Sequence, residues 1–153
     1  MKIKILSLAV LFILTSCNPP KTHEIKVTRI IDGDSFVAEN IRYRISEIDS
    51  PEISQDFGKK KKKALSNLIL HKSVEIKSKG KDKYNREIVE VKINGSDVAD
   101  LMVANGFAWQ YKRYSTDRNL SNLELKARKG KRGLWKYKAV NPYQYRKSKN
   151  NSK

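Results

Sequence analysis

The stretch of sequence that decides the fold is RYRISEIDSPE, at residues 42–52, together with IDGDS, at residues 31–35. Apolar and polar side chains alternate through the first half of the longer stretch, which predicts a strand with one buried face. The proline near its end stops the strand. The Asp-Gly-Asp sequence of the shorter stretch is typical of a turn. Together they predict paired β-strands with acidic and basic side chains at one end.

The alternation also predicts which side chains of this strand point inward. The predicted buried residues are Ile41, Tyr43 and Ile45. Arg44 then lies on the opposite face, beside the turn at residues 32–34. We therefore expect a guanidinium group close to the two carboxylates of that turn.

The rest of the chain predicts a small α+β domain with a mainly β core. The predicted strands are residues 24–31, 35–39, 41–48, 73–78 and 86–93, and the predicted helices are residues 58–70, 97–105 and 117–129. Gly106 is predicted to close the second helix. Five short strands, with one helix after the third, favour a closed five-stranded β-barrel with about three packed helices.

The chain is strongly basic. It has 153 residues and a formal charge of +17, from 33 Lys and Arg against 16 Asp and Glu. Such an excess points to a polyanionic partner, although a soluble protein from a lysine-rich proteome would show it too. Five lysines at residues 59–63 begin a predicted helix, where cations oppose the helix dipole. We expect this run to contact a phosphate backbone, with a solvated helix face as the alternative.

The N-terminus resembles an export signal. Lys2 and Lys4 precede an apolar run at residues 5–14 that is too short to span a bilayer. The sequence LTSC at residues 14–17 looks like a bacterial lipobox, so Cys17 is the predicted lipidation site. An ordinary signal peptide with an incidental cysteine is the alternative. Cleavage would remove residues 1–16 with two lysines and no acid, which lowers the charge from +17 to +15.

These features predict four segments: a lipoprotein signal peptide at residues 1–16, a lipidated cysteine and tether at residues 17–23, a folded domain at residues 24–146, and a polar tail at residues 147–153. The predicted location is outside the cytoplasm, with the chain anchored to a bacterial membrane on its periplasmic or cell-surface face. We expect a monomer.

Several side chains have the chemistry that a phosphodiester site needs. Asp34 and Asp49 offer oxygen ligands to a hard cation such as Ca²⁺. Glu52 is a candidate base for an attacking water, and Arg44 and Arg86 offer planar forks to phosphate oxygens. Each has an ordinary alternative: a turn aspartate, a surface glutamate or a structural arginine.

Five motifs resemble the staphylococcal nuclease, or thermonuclease-like, family in their order and spacing. They are DGDS at residues 32–35, Arg44 five residues before Asp49, DSPE at residues 49–52, DKYNR at residues 82–86 and GLW at residues 133–135. The resemblance covers residues 24–146. It implies an OB-fold barrel, a scaffold known for binding nucleic acid.

The resemblance also implies roles for single residues. It implies that the Ca²⁺ ligands are Asp34, Asp49 and the backbone carbonyl of Ser50, and that Asp32 acts on the ion through water. It places Lys83 and Tyr84 in a segment that contacts nucleotide phosphate. Tyr111 and Tyr114 are candidates to stack on or hydrogen-bond a nucleotide. Asn85 stands where the family has glycine, and asparagine tolerates the left-handed conformation that such a turn needs.

The function implied is that of a Ca²⁺-dependent nuclease that hydrolyses DNA, with RNA as a second candidate substrate, and releases 3′-phosphorylated products. Two other classes stay open at this point. One is a non-catalytic OB module that binds nucleic acid, and the other is a basic surface lipoprotein that binds acidic polymers.

The lipobox generates the first testable prediction. Replacing Cys17 with serine should release the protein from the membrane fraction or leave the precursor uncleaved, because the acyl chains that anchor it are attached at this residue. Fractionation and labelling with a radioactive fatty acid measure both effects. A wild-type protein that incorporates no label would show that the lipobox interpretation is wrong.

Overall fold

The computed structural model describes residues 22–55, 57–137 and 139–151. The predicted signal peptide, Cys17 and residues 18–21 of the tether lie outside them. The strands are β1 (Thr22–Asp32), β2 (Ser35–Ala38), β3 (Ile41–Ile45), β4 (Ile48–Asp49), β5 (Ser73–Lys81), β6 (Glu87–Ile93), β7 (Ser96–Asp97) and β8 (Trp109–Gln110). The helices are α1 (Gly58–Ile69), α2 (Val98–Ala104), α3 (Arg118–Lys129) and α4 (Pro142–Asn151), with a 3-10 helix at Gly133–Lys136.

Five strands form a closed barrel. The order along the sheet is β3-β2-β1-β5-β6, and all of these neighbours are antiparallel. A parallel pairing of β3 with β6 closes the sheet on itself, with Tyr43 opposite Glu87 and Ile45 opposite Val89. This is the predicted five-stranded OB-fold barrel in an α+β protein.

The barrel interior is filled by alternating apolar side chains. Five of these side chains are fully buried: Val27, Phe36, Ile45, Val89 and Val91. Helix α1 contributes Leu65 and Ile69 to the same core. Burying side chains of this size is worth roughly 1.5 to 3 kcal/mol each, so the interior is the main source of stability.

A second, smaller core joins the C-terminal part of the chain to the barrel. It contains Phe57, Trp109 and Leu134, with Trp135 packed against it. Trp109 and Trp135 meet edge to face, with ring centroids 5.3 Å apart. Leu134 is fully buried, so the Gly-Leu-Trp motif docks the chain after α3 onto the barrel.

The structure corrects four sequence predictions. Strand β1 begins at Thr22, so the last two residues of the predicted tether pair with β5. Ile41, expected inside, is 43% exposed at the start of β3. The predicted third strand is split into β3 and β4, because Glu47 has a positive φ of 65° between them. Helix α4 extends through most of the segment predicted as a polar tail, and it makes the described helices four in number.

No helix in residues 22–55, 57–137 and 139–151 is both long and apolar enough to cross a membrane.

Gly106 generates a stability prediction. It follows α2 at a φ of +71°, as predicted for its C′ position, and an added Cβ would overlap the carbonyl oxygen of Arg132. Gly106→Ala should therefore lower the free energy of unfolding by more than about 2 kcal/mol, from strain and overlap together. Urea unfolding measures it.

Gly95 is the matched control. Its φ is +77°, but an added Cβ would meet nothing within 4 Å. Gly95→Ala should cost only the backbone strain, about 1 kcal/mol. Equal losses for the two variants would show that the contact with Arg132 contributes nothing.

Candidate active site

The site is built at the turn between β1 and β2 and at the end of β4. Ser35 lies opposite Arg44 in the β2–β3 pairing, which brings the turn and β3 side by side. The backbone N–H of Ser50 donates to Asp34 Oδ2 at 3.2 Å, which ties β4 to the same turn. The structure thus brings together Asp34, Asp49 and Arg44, as the sequence predicted.

Arg44 is held rigidly. Its Nη1 donates to the carbonyl oxygens of Ile45 and Ile48 at 2.7 and 3.0 Å. Its Nη2 lies 3.4 Å from Asp49 Oδ1 and 3.5 Å from Asp34 Oδ2. The side chain is only 13% exposed, so the guanidinium reaches both carboxylates from a fixed position.

Arg86 is linked to Asp34 through the hydroxyl group of Ser35. Asp82 binds Nε and Nη2 of Arg86 at 2.8 and 2.7 Å. Arg86 Nη1 donates to Ser35 Oγ at 3.3 Å, and that hydroxyl donates to Asp34 Oδ1 at 2.8 Å. A continuous hydrogen-bonded chain therefore links Asp82, Arg86, Ser35 and Asp34. The sequence analysis assigned no role to Ser35 or Asp82.

The turn before Arg86 confirms one prediction made from residue type. Asn85 has a φ of 58°, the left-handed conformation expected where the family has glycine. Asp82 Oδ1 accepts from the backbone N–H groups of Tyr84 and Arg86, which closes the turn.

The two aspartates differ in their electrostatics. Burial alone would raise the pKa of Asp34, but Arg44, Lys61 and hydrogen bonds from Ser35 and Ser50 hold it below the ordinary value. Burial raises the pKa of Asp49 above the ordinary value, although arginine partners oppose that shift. Asp34 is thus the carboxylate more firmly held in its ionised form.

The donor set fits a hard cation of flexible geometry. No group of three His, Cys, Asp or Glu side chains suited to a metal occurs in the described ranges, so the carboxylates alone do not make a closed cage. Asp34 and Asp49 converge on one atom of Arg44, and the buried hydroxyl of Ser50 finds no hydrogen-bond partner among the described residues. Two carboxylates with neighbouring neutral oxygens suit Ca²⁺, which accepts carbonyl, hydroxyl and water ligands.

The lysine run at residues 59–63 was predicted to contact a phosphate backbone, but Lys61 does not face solvent. It is fully buried, and its Nζ forms an ion pair with Asp32 across the β1–β2 turn. A Cβ on Gly33 would overlap the Lys61 side chain, so the glycine makes room for it. The prediction that the lysine run contacts a phosphate backbone is therefore wrong for Lys61. Lys59, Lys60 and Lys63 are exposed, and for them that contact stays a prediction.

The predicted nucleotide-binding tyrosines lie beside the two arginines. Arg86 lies over the ring of Tyr84 at 5.6 Å, and Arg44 over the ring of Tyr111 at 5.7 Å. Lys83 also lies over Tyr84. Tyr84 and Tyr114 are 63% and 67% exposed, which leaves aromatic surface available for stacking.

One side chain near the site was missed by the sequence analysis. Arg146, in α4, forms ion pairs with Asp49 and Glu52 at 2.8 Å each. Nothing in the local sequence indicates this, because α4 is separated from Asp49 by 97 residues. Glu52 itself is half-buried, and its backbone N–H donates to Gln55 Oε1.

Comparisons with known proteins match the same region of the chain. The family described as "Staphylococcal nuclease homologue" matches residues 42–137. An uncharacterized endonuclease of Haemophilus influenzae is 37% identical over 153 residues, which cover 95% of this chain and 85% of that protein. The micrococcal nuclease of Shigella flexneri is 30% identical, over 83% of this chain and 82% of its own. A probable staphylococcal-like nuclease of Oryza sativa subsp. japonica is 32% identical, over 76% of this chain and 24% of its own.

The fold defines the class first: an α+β protein on an OB-fold barrel, with carboxylates and guanidinium groups gathered where β2, β3 and β4 meet. The matches take the assignment further. The chain belongs to the staphylococcal nuclease family, and it is a nuclease hydrolase.

Lys61 generates the prediction of this section. Lys61→Met keeps the buried length of the side chain but leaves Asp32 without its cation. It should lower the free energy of unfolding by roughly 2 kcal/mol, less than for a pair buried on both sides because Asp32 is partly exposed. Urea unfolding at neutral pH without added metal measures it.

Lys63, exposed on the same helix, supplies the control. Lys63→Met should change stability by no more than about 0.5 kcal/mol. Similar stabilities for the two variants would mean that the Lys61–Asp32 pair does not stabilise the fold.

Proposed function

We propose that this nuclease is calcium-dependent, hydrolyses phosphodiester bonds of DNA and, as a second substrate, RNA, and releases 3′-phosphorylated products. The observation that carries the proposal is the convergence of Asp34, Asp49 and Glu52 with Arg44 and Arg86 on one part of the barrel. The basic excess of the chain supports a polyanionic substrate.

Asp34, Asp49 and the backbone carbonyl of Ser50 would hold the calcium ion, with Asp32 acting through water. When bound, the ion would neutralise charge on a phosphate oxygen. Asp32 is the carboxylate paired with Lys61, and burial raises its pKa against the effect of that lysine. That pairing is consistent with a supporting role for Asp32.

Glu52 is the proposed base. It follows β4 at the rim of the site, and its half-exposed carboxylate has access to solvent from which the attacking water comes. A carboxylate at this position would orient the water for attack on phosphorus in line with the scissile bond. It would also accept the proton that the water loses.

Arg44 and Arg86 would stabilise the charge that develops on the phosphoryl oxygens. Both are fixed in place by carbonyl or carboxylate partners, so little reorganisation is needed when the transition state forms. Tyr84 and Tyr111, beside these arginines, would support the nucleotide, together with Lys83 and Tyr114.

We further propose that the enzyme is exported and acts while anchored to a bacterial membrane through a lipid at Cys17. The support is the lipobox sequence at residues 14–17 and the short apolar run before it. Such an enzyme would meet nucleic acid outside the cytoplasm.

The catalytic prediction joins metal dependence to three substitutions. Excess chelator should abolish DNA cleavage and Ca²⁺ should restore it, whereas Mg²⁺ should substitute poorly because it prefers a rigid octahedral shell. Arg44→Lys and Arg86→Lys should each lower kcat by roughly a hundredfold or more, since lysine lacks the planar fork. Glu52→Gln should lower kcat by a similar factor of roughly a hundred with DNA binding retained. Single-turnover cleavage and fluorescence anisotropy measure these effects.

Exposed residues of the same types provide the controls. Arg42 lies on β3, two residues from Arg44, and Glu75 lies on β5. The variants Arg42→Lys and Glu75→Gln should both keep wild-type turnover. Circular dichroism checks the fold of every variant. Cleavage that persists in excess chelator, or wild-type rates for folded Arg44→Lys and Glu52→Gln, would reject this mechanism.

A further inference from the structure

Helix α4 reaches the proposed active site through a single side chain. Arg146 Nη1 donates to Glu52 Oε1 at 2.8 Å and to Asp49 Oδ1 at 3.2 Å, and Nη2 donates to Asp49 Oδ2 at 2.8 Å. One guanidinium therefore binds both oxygens of Asp49 and one oxygen of Glu52. These are a proposed metal ligand and the proposed base.

The helix is fixed beside the loop that carries Glu52. The hydroxyl groups of Tyr145 and Ser54 are hydrogen-bonded at 3.0 Å. The Gln55 side chain accepts from the backbone N–H of Glu52 and donates to the carbonyl of Val140 at 2.9 Å. The loop after β4 and the C-terminal segment are thus joined by two hydrogen bonds besides those of Arg146. These contacts fix the position of Arg146 relative to the loop.

Geometry limits what Arg146 can do. Asp49 lies in β4 and is 4% exposed at its side chain, whereas Glu52 follows Pro51 in a loop and is 34% exposed. A planar fork shared by both carboxylates fixes the distance between them, which a loop alone would leave free. Since a catalytic constellation must be held within a fraction of an ångström, such a bridge orders the base relative to the ligand.

We propose that Arg146 is a positioning residue of the active site, which holds Glu52 in register with Asp49, and that α4 is therefore part of the catalytic machinery. This inference rests on the proposed function, because it takes the roles of Asp49 and Glu52 from it. The contacts of Arg146 at the site are with these two carboxylates, so its effect on the reaction would pass through them.

Charge and geometry make separable contributions. The positive charge of Arg146 opposes a second cation beside Asp49, so its removal should tighten metal binding. Its fork orients Glu52, so its removal should slow turnover. A residue that merely stabilised the fold would change neither quantity once the protein is folded, and tighter calcium binding combined with slower turnover is the expected signature.

The test uses Arg146→Met and Arg146→Lys in the full chain. Calcium binding is measured by isothermal titration calorimetry without DNA, and kcat and KM are measured on DNA at saturating calcium. Arg146→Met should lower the Kd for calcium roughly tenfold and lower kcat by about tenfold or more, with KM changed by less than about twofold. Arg146→Lys should return the Kd towards the wild-type value but leave kcat low, since an ammonium group keeps the charge without the fork.

Lys147→Met is the matched control, as Lys147 is the exposed neighbour on α4 and carries the same charge. It should behave as wild type. Arg146→Met values equal to those of Lys147→Met would overturn the inference. So would a raised KM at unchanged kcat, which would make Arg146 a substrate contact, or weaker calcium binding with full kcat at saturation.

Wild-type protein separates this test from that of the proposed function. If the wild type neither binds calcium nor cleaves DNA, the proposed function fails. If it does both and the Arg146 variants match the control, only the role of Arg146 fails.

Discussion

The parallel pairing of β3 with β6 is the interaction on which the rest of the structure depends. It closes the barrel, and it places Arg44 opposite Ile88, two residues beyond Arg86. The two guanidinium groups, 42 positions apart in the sequence numbering, thereby face the same turn. An open sheet would leave β3 and β6 as separate edges, and Arg86 would not reach Ser35.

The closed barrel gathers charges that would otherwise repel one another. Asp32, Asp34, Asp49 and Glu52 lie together, and each has a cationic partner in Lys61, Arg44 or Arg146. Burying a carboxylate without such a partner costs several kcal/mol, so the cations are required before any substrate arrives. The same arrangement holds the guanidinium of Arg44 in a fixed position, from which it would stabilise the negative charge of a phosphate group with little reorganisation.

The basic surface and the site have different roles, although both are rich in cations. The exposed lysines at the start of α1 face solvent, where they can attract a polyanion over the distance of a Debye length. Lys61, from the same run, is buried and stabilises the turn instead. Neighbours in sequence thus have unlike roles because an α-helix turns successive side chains to different faces.

The sequence by itself determined the barrel, its approximate strand bounds, and the gathering of Asp34, Asp49 and Arg44. These follow from local information: alternation sets the faces of a strand, and an Asp-Gly-Asp turn followed at short range by β3 and β4 limits where those side chains can lie. The left-handed conformation of Asn85 was predicted from the family resemblance, because asparagine stands where the family has glycine and tolerates that conformation.

Only the tertiary structure decided which partner each charge has. The burial of Lys61, the link from Arg86 through Ser35 to Asp34, and the bridge from Arg146 to Asp49 and Glu52 join residues 29, 51 and 97 or 94 positions apart. Local sequence carries no periodic signal for such pairs, because they depend on how helices dock on the closed barrel. From its sequence alone, the polar helix α4 is indistinguishable from a solvated tail. Its role depends on the folded barrel, which places Asp49 and Glu52 where Arg146 binds them.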